Sequence, residues 1–201
     1  DVSAFATFNA VAANARQNFA QLAGLAAIDE RLLTTLERCT EDALPRHHDL
    51  IEARARRQVA RDTHGDLRLD HIYRLHKHPE DLIILDCIEF SEQFRCADPI
   101  SDLAFLVMDL HRVDRRDLAD ALLAGYFAAY KNPLGDLTLG AGHPPLASEP
   151  AESRALLPLY TAYRATVRAK VEAMTAAEPE VPPAAKAAAL VATPRHLLLA
   201  L

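Results

Sequence analysis

Residues 64–90 read HGDLRLDHIYRLHKHPEDLIILDCIEF, and this stretch is the most informative part of the chain because its pattern differs from that of the flanking sequence. It has no apolar stripe at helical spacing. Two short runs of β-prone residues, Ile72–Leu75 and Leu82–Leu85, flank a polar segment that contains Pro79. Such runs on either side of a polar turn are typical of a β-hairpin, so we predict one here.

Apolar residues outside this stretch recur every three or four positions, which is the spacing of a helix that buries one face. The stripe from Phe5 to Leu22 predicts a first helix. A second begins near Asp29 and is expected to kink or break at Pro45, since proline removes a backbone donor. Further helices are predicted around 103–108, from about 116 to 130, and from 156 to 174. We therefore predict a mainly α fold with one small β-hairpin.

The predicted domain spans residues 1–178, and residues 179–201 are rich in proline and alanine. This composition predicts a linker. The segment from Asn132 to Pro150 holds three of the six glycines and four prolines, and is expected to be a long loop.

Charge and composition exclude several classes of protein. Half of the residues are hydrophobic and 25% are charged, which excludes a disordered chain. With 22 Lys and Arg against 28 Asp and Glu, the net charge of −6 argues against wrapping of nucleic acid or binding to an anionic membrane. The longest strongly apolar run is too short to span a bilayer, and neither a leader peptide nor a CxxC pair is visible. These features predict a cytoplasmic protein with no nucleic-acid or membrane partner.

Three carboxylates lie in or beside the predicted hairpin. Asp66 follows a glycine ahead of the first strand, Asp86 ends the second strand, and Glu89 comes three residues later. Carboxylates at the two ends of a tight hairpin can converge on one cavity, hold Mg²⁺ and accept a proton from a hydroxyl nucleophile. The spacing alone also fits ordinary turn residues, and Glu89 also fits an ion pair with Arg95.

The residues themselves carry a family resemblance. His64–His71 (HGDLRLDH) followed by Ile84–Phe90 (ILDCIEF) resembles the catalytic loop of the aminoglycoside phosphotransferase family, HGDxxxxN and then an aspartate at the end of a hydrophobic strand. Asp98–Ala104 (DPISDLA) is similar to the family's D-x-x-x-D-L-A segment, and Tyr160–Val171 to a late helix. The four segments occur in the family's order, and the resemblance covers roughly residues 18 to 174. The chain looks like the branch in which a kinase-like domain precedes a P-loop ATP-binding domain. This resemblance implies that residues 179–201 lead toward that domain and that the apolar run Leu197–Leu201 is its first strand.

This resemblance implies a protein-kinase-like fold, of which the chain would supply the helical C-terminal lobe. It implies transfer of a phosphoryl group from ATP, with Mg²⁺, to a hydroxyl of a small molecule. Asp66 would be the catalytic base, and Arg68 would stabilise charge during transfer. Asp86 would be a metal ligand, and Glu89 would reach a second metal or the water shell of the first.

Two further residues would support this site, and a third residue departs from the family pattern. Asp102 would accept backbone hydrogen bonds from the catalytic loop, and His64 would pack and hydrogen-bond beside it. The family's asparagine, a second metal ligand, is His71 here. His71 is a candidate metal ligand, but Mg²⁺ prefers oxygen to imidazole. Three alternatives follow: Asp86 and Glu89 hold the ion while His71 is a spacer, the site takes a softer metal, or catalysis is weakened.

The sequence contains no pattern that would supply the N-terminal half of a kinase-like cleft. Nothing before His64 is strand-like, and none of the glycines makes a GxGxxG or GxxxxGK[ST] motif. The β-rich N-terminal lobe is therefore expected to be absent, and the isolated chain is expected to be inactive.

Other interpretations stay open. A degenerate kinase-like module that binds or regulates a fused P-loop ATPase, without catalysis, fits the replacement at His71 and the missing lobe. A zinc site of His71, His76 and His78 is a weaker rival, since it lacks the ligand spacing of known zinc sites. The phosphoryl acceptor is indicated by no residue. The arginines of 54–61 and 164–168 are expected on solvated faces.

Overall fold

The computed structural model describes residues 2–77, 81–131 and 150–201, and this part of the chain is mainly helical. A 3-10 turn at Val2–Ala6 precedes the first helix, and a second such turn lies at Leu69–His71. The helices are α1 (Phe8–Leu22), α2 (Glu30–Arg56), α3 (Glu92–Arg95), α4 (Pro99–Arg112), α5 (Arg116–Lys131), α6 (Pro150–Ala177) and α7 (Pro183–Leu199). Among the described residues, no helix is both long enough and apolar enough to cross a membrane.

The predicted hairpin is confirmed. Strands β2 (Ile72–Arg74) and β3 (Leu82–Ile84) are antiparallel, with Ile72 opposite Ile84 and Arg74 opposite Leu82. A second two-stranded ladder pairs β1 (Arg61–Asp62) with β4 (Cys96–Ala97). Strands of two residues leave no periodic signal in a sequence, so this ladder was not predicted. Residues 78–80, within the predicted hairpin loop, lie outside the described residues, as do 132–149 of the predicted long loop.

Helix α4 forms the centre of the core. Asp98 caps it by accepting a hydrogen bond from the Ile100 N–H at 3.1 Å, and every residue from Ile100 to Leu110 is buried. One side of α4 contributes to an apolar cluster with α2, α5 and the first half of α6, which includes Leu44, Ile51, Phe127 and Leu156. Its other side contributes Phe105 and Met108 to a second cluster with α1, α6 and α7, which includes Phe19, Leu22, Ala169 and Leu197.

Helix α2 continues through Pro45, so the predicted break does not occur there. Asp29 caps the helix by accepting hydrogen bonds from the N–H groups of Arg31 and Leu32, and the helix ends only at Arg56. Leu44 and Ile51 lie on either side of the proline, and both are buried in the same apolar cluster. Burial of both halves against one core offsets the backbone hydrogen bond that proline removes.

Arg54 lies in the interior, which corrects the expectation of a solvated face. Its side chain is 2% exposed and donates to both carboxylate oxygens of Asp98, at 2.6 and 2.9 Å. A third contact reaches Glu152 at 3.3 Å. This bidentate pair joins α2 to the cap of α4. The contact with Glu152 also joins α2 to the first turn of α6.

Helix α7 occupies residues for which the composition predicted a linker. Pro183 stands in its first turn, where a missing N–H costs nothing, and the following alanines favour a helix. Ala189, Thr193, His196 and Leu197 are buried where α7 packs along α6. The run Leu197–Leu201, expected to begin a strand, instead ends this helix, so that prediction is wrong.

The apolar spacing of 156–174 predicts an inner face that runs from Leu156 and Tyr160 to Val171 and Met174, and the second half of α6 differs from it. Leu156 and Tyr160 are buried as expected, whereas Val171 and Met174 are exposed. The residues that contact α7 and α4 in this half are instead small, namely Ala165, Ala169 and Ala173. Small side chains permit the close approach of α7, which leaves the larger apolar residues on the opposite face.

Candidate active site

The loop between β1 and the second 3-10 turn carries Asp66, and its shape depends on Gly65. Gly65 has a φ of +81° and is buried. A Cβ atom there would lie 3.0 Å from the Phe94 carbonyl oxygen and 3.2 Å from the Arg95 Cα. Only glycine combines this backbone conformation with such close neighbours, so the residue fixes the path of the loop into Asp66.

Asp102 holds this loop from the first turn of α4. Its two carboxylate oxygens accept hydrogen bonds from the backbone N–H groups of His64 and Gly65, both at 3.0 Å. The residue is 6% exposed, so these bonds satisfy donors that water cannot reach. They are the contacts that the resemblance implies for Asp102.

Arg164 holds the same loop from α6, although its side chain was expected in solvent. It is 5% exposed and donates to the carbonyl oxygens of Gly65 and Ser101, each at 3.0 Å. Its guanidinium also lies 4.9 Å from the centre of the Phe105 ring. Nothing in the helical pattern distinguishes this arginine from an exposed one.

Asp109 holds the far end of the loop and was also missed. Its Oδ2 accepts a hydrogen bond from the Leu69 N–H at 2.9 Å, while Oδ1 accepts from Arg112 at 2.5 Å. An aspartate inside an otherwise apolar helix was the available signal, because a buried carboxylate needs donors.

His64 connects the loop to the end of the hairpin. Its Nδ1 accepts a hydrogen bond from the Asp66 N–H at 3.3 Å, and its Nε2 donates to the Leu85 carbonyl oxygen at 2.8 Å. The ring stacks on that of His71, with centroids 5.7 Å apart. These contacts give His64 a supporting position in the site.

The contacts of His71 define which of its nitrogens carries the hydrogen. Nδ1 lies 2.8 Å from the Asp66 carbonyl oxygen, which can only accept, so Nδ1 donates there. Nε2 lies 3.0 Å from Nη2 of Arg68, which can only donate, so Nε2 is the acceptor. The lone pair that a metal would need is thus directed at a guanidinium. Asp86 Oδ2 lies 3.4 Å from the same nitrogen.

Asp66 and Arg68 form an ion pair beside the cavity described below. Arg68 Nε lies 3.0 Å from Asp66 Oδ2, and its Nη1 lies 3.0 Å from Asp70. The Asp66 side chain is 25% exposed, so solvent or a ligand can reach it. The arginine therefore links the two acids of the loop to His71.

Asp86 and Glu89 follow the hairpin and are more open than Asp66. Asp86 has a φ of +66°, and its side chain is 81% exposed. Glu89 is exposed, and Arg95, its possible partner, is instead paired with Asp62 at 2.5 Å. No three His, Cys, Asp or Glu side chains within residues 2–77, 81–131 and 150–201 form a group that could hold a metal ion. Of the zinc rival, His78 lies outside the described residues.

One cavity of about 630 Å³ brings the three predicted carboxylates together. Asp66, Asp86 and Glu89 line it from the loop and the segment after the hairpin. Helices α1 and α6 form another wall, with Asn18, Arg164 and Lys170 among the polar residues. Aromatic side chains complete the lining, namely Phe90, Phe94, Phe105 and Tyr163. A concave site lined by both aromatic and polar side chains is suited to binding a small molecule.

Comparison with known proteins gives relatives without a described activity. An uncharacterized protein of Mycobacterium tuberculosis is 33% identical over 193 residues, which is 95% of this chain and 33% of the relative. An uncharacterized protein of Mycobacterium bovis matches with the same identity and coverage. The chain thus spans about a third of the length of the curated relatives it matches. No family model matches the chain, and no solved structure matches it.

Proposed function

We propose that this chain is the catalytic lobe of a kinase-like phosphotransferase that transfers a phosphoryl group from ATP to a hydroxyl of a small molecule. The observation that carries the proposal is the meeting of Asp66, Asp86 and Glu89 at one cavity. The HGD motif and the D-x-x-x-D-L-A segment support it, because Asp102 joins them through two hydrogen bonds. The fused P-loop domain implied by the resemblance would be a partner within a longer polypeptide.

Asp66 is the proposed catalytic base. Arg68 binds its Oδ2, which leaves Oδ1 as the oxygen that accepts the proton of the acceptor hydroxyl. That proton leaves as the hydroxyl oxygen bonds to the γ-phosphorus, and the bond from the γ-phosphorus to the leaving ADP breaks. Arg68 carries a permanent positive charge beside this position and can stabilise the negative charge that is transferred.

Mg²⁺ fits two of the three predicted ligands. Asp86 and Glu89 offer carboxylate oxygens at the cavity, and Mg²⁺ in phosphotransferases is commonly held by one or two carboxylates plus substrate phosphates. His71 does not fit, because its Nε2 lone pair already accepts from Arg68 and a guanidinium would repel the ion. The ion, when bound, would neutralise charge on the phosphates. We therefore assign Asp86 and Glu89, without His71, to the metal.

The Asp66→Asn variant tests the proposal. In a longer polypeptide that contains this segment, it should lower phosphoryl transfer or ATP turnover by about a hundredfold or more, the scale of a general base. Asp120→Asn on α5 is the control, since Asp120 is exposed and lies outside the cavity lining. Turnover near that of the wild type in a folded Asp66→Asn protein would refute the assignment.

A non-catalytic binding module is the second candidate function. The ion pair of Asp66 with Arg68 favours it, because a guanidinium already engages one oxygen of this carboxylate. Under this candidate, Asp66→Asn and wild-type proteins would bind nucleotide equally and neither would transfer a phosphoryl group above the solution rate. The same pair of proteins thus separates the two functions.

A further inference from the structure

Lys170 is a cation in the cavity wall without a carboxylate partner among the described residues. Its Nζ lies 2.7 Å from the Asn18 side-chain oxygen, which is a neutral group. Burial lowers the pKa of Lys170, and no neighbouring charge contributes to the shift. A partly buried ammonium without a counter-ion is unfavourable, because desolvation penalises its charge.

Of the other cations of the cavity, Arg168 has a carboxylate partner and Arg164 has two backbone acceptors. Arg168 donates to Glu172 at 2.6 Å, one turn along α6. Arg164 donates to two backbone carbonyl oxygens of the loop and core. Among the described lining residues, Lys170 is therefore the cation whose one hydrogen-bond acceptor is a single neutral amide, that of Asn18. An incoming anion could pair with its charge.

Asn18 provides a second, independent sign of a missing ligand. It lies on α1, is 3% exposed and lines the same cavity. Its Oδ1 accepts from Lys170, which directs Nδ2 away from the lysine, and Nδ2 is buried without a hydrogen-bond partner among the described residues. A buried amide donor left unpaired costs about 1–3 kcal/mol, so such groups normally have partners.

We infer that the cavity binds a ligand with an anionic group, a carboxylate or a phosphate, which accepts hydrogen bonds from Lys170 and Asn18. The aromatic side chains of the lining favour an apolar body attached to that group. That this ligand is the phosphoryl acceptor rests on the proposed function, with its hydroxyl at Asp66. Binding of the anion itself does not depend on that function.

Calorimetric titration with two matched probes tests the inference. The first is 3-phenyllactate, which has an aromatic body, a hydroxyl and a carboxylate, and the second is the neutral 3-phenylpropane-1,2-diol. Wild-type protein should bind the carboxylate at least about tenfold more tightly than the diol, the scale of one charge-assisted hydrogen bond. Phenyl phosphate in a third titration shows whether the site prefers phosphate. Equal affinity for the diol and both anions overturns the inference.

Three variants assign the effect to this pair of residues. Lys170→Met should abolish the preference for the anion, and Lys186→Met, a lysine of α7 outside the cavity, should retain it. Asn18→Asp places a carboxylate beside Lys170, so it should also abolish anion binding and raise the melting temperature by supplying a counter-ion. Unchanged anion binding in folded Lys170→Met or Asn18→Asp protein overturns the inference.

Two further measurements distinguish failure of the anion-binding inference from failure of the proposed function. Asp66→Asn removes a group that both probes contact through the same hydroxyl, so it should keep the preference for the carboxylate over the diol even where it transfers no phosphoryl group. Each idea can therefore fail alone. A Lys170→Met variant that loses affinity for ADP about tenfold and keeps its affinity for 3-phenyllactate would place a nucleotide phosphate at Lys170. That result overturns the assignment to the acceptor.

Discussion

Asp102 acts at the scale of a single residue, because one carboxylate satisfies two buried N–H donors of the loop that carries Asp66. Asp102→Ala should lower the free energy of unfolding by about 1–3 kcal/mol for each donor left unpaired. Urea denaturation measures this, with Asp120→Ala on the exposed face of α5 as the control. A loss below 0.5 kcal/mol, no larger than the control, would contradict the role of Asp102 as the acceptor for the loop.

His71 gives a second prediction at this scale. His71→Asn should leave the ratio of apparent Mg²⁺ and Mn²⁺ affinities, measured with ATP, within about twofold of wild type, because Nε2 already accepts from Arg68. Asp86→Asn should weaken both affinities, since it removes an oxygen ligand. A strong shift of His71→Asn toward Mg²⁺ would show that the imidazole is a ligand after all.

The residues of the site were predictable where a motif carries them. The HGD loop led to Asp66, the ILDCIEF segment to Asp86, and the D-x-x-x-D-L-A segment to Asp102. The structure places Asp66 and Asp86 at one cavity, with Asp102 bound to the loop that carries Asp66. Arg164 was not predictable, because an arginine that donates to buried carbonyls has the same helical spacing as one in solvent. Only the fold shows which carbonyls lie opposite it.

Helix α7 is the element for which the composition was misleading. Prolines at 179, 182 and 183 suggested a linker, yet Pro183 opens a helix that packs along α6. The apolar residues of its last turn alternate between buried and exposed positions: Leu197 is 1% exposed and Leu198 is 61% exposed. A consecutive run of leucines has no helical period, so the sequence does not indicate which of these leucines face the core.

This pair of leucines supplies a matched test of the docking of α7. Leu197→Ala should lower the free energy of unfolding by about 2–5 kcal/mol, the cost of removing a large buried side chain and leaving a cavity. Leu198→Ala removes the same atoms from an exposed position and should change it by less than about 0.5 kcal/mol. Equal effects of the two substitutions would contradict the packing of α7 on α6.

At the scale of the whole molecule, α4 joins the two apolar clusters. It contributes Leu103 and Leu106 to the cluster with α2 and α5, and Phe105 and Met108 to the cluster with α1 and α7. The loop that carries Asp66 is tied to the same helix through Asp102. Because both clusters include residues of α4, loss of this helix would expose both of them. We therefore expect the described chain to unfold as one cooperative unit.

Met108→Ala tests this cooperativity. Met108 has no exposed surface, so the substitution should lower the free energy of unfolding by about 2–5 kcal/mol. Because α4 is shared, hydrogen exchange measured by mass spectrometry should accelerate by the same factor in the core segments of α5 and of α7, although Met108 belongs to the α7 cluster and α5 to the other. Val113→Ala, at the exposed end of α4, should change neither segment. Faster exchange confined to α7 would mean that the two clusters open separately, and that the loop carrying Asp66 can stay ordered when α7 is lost.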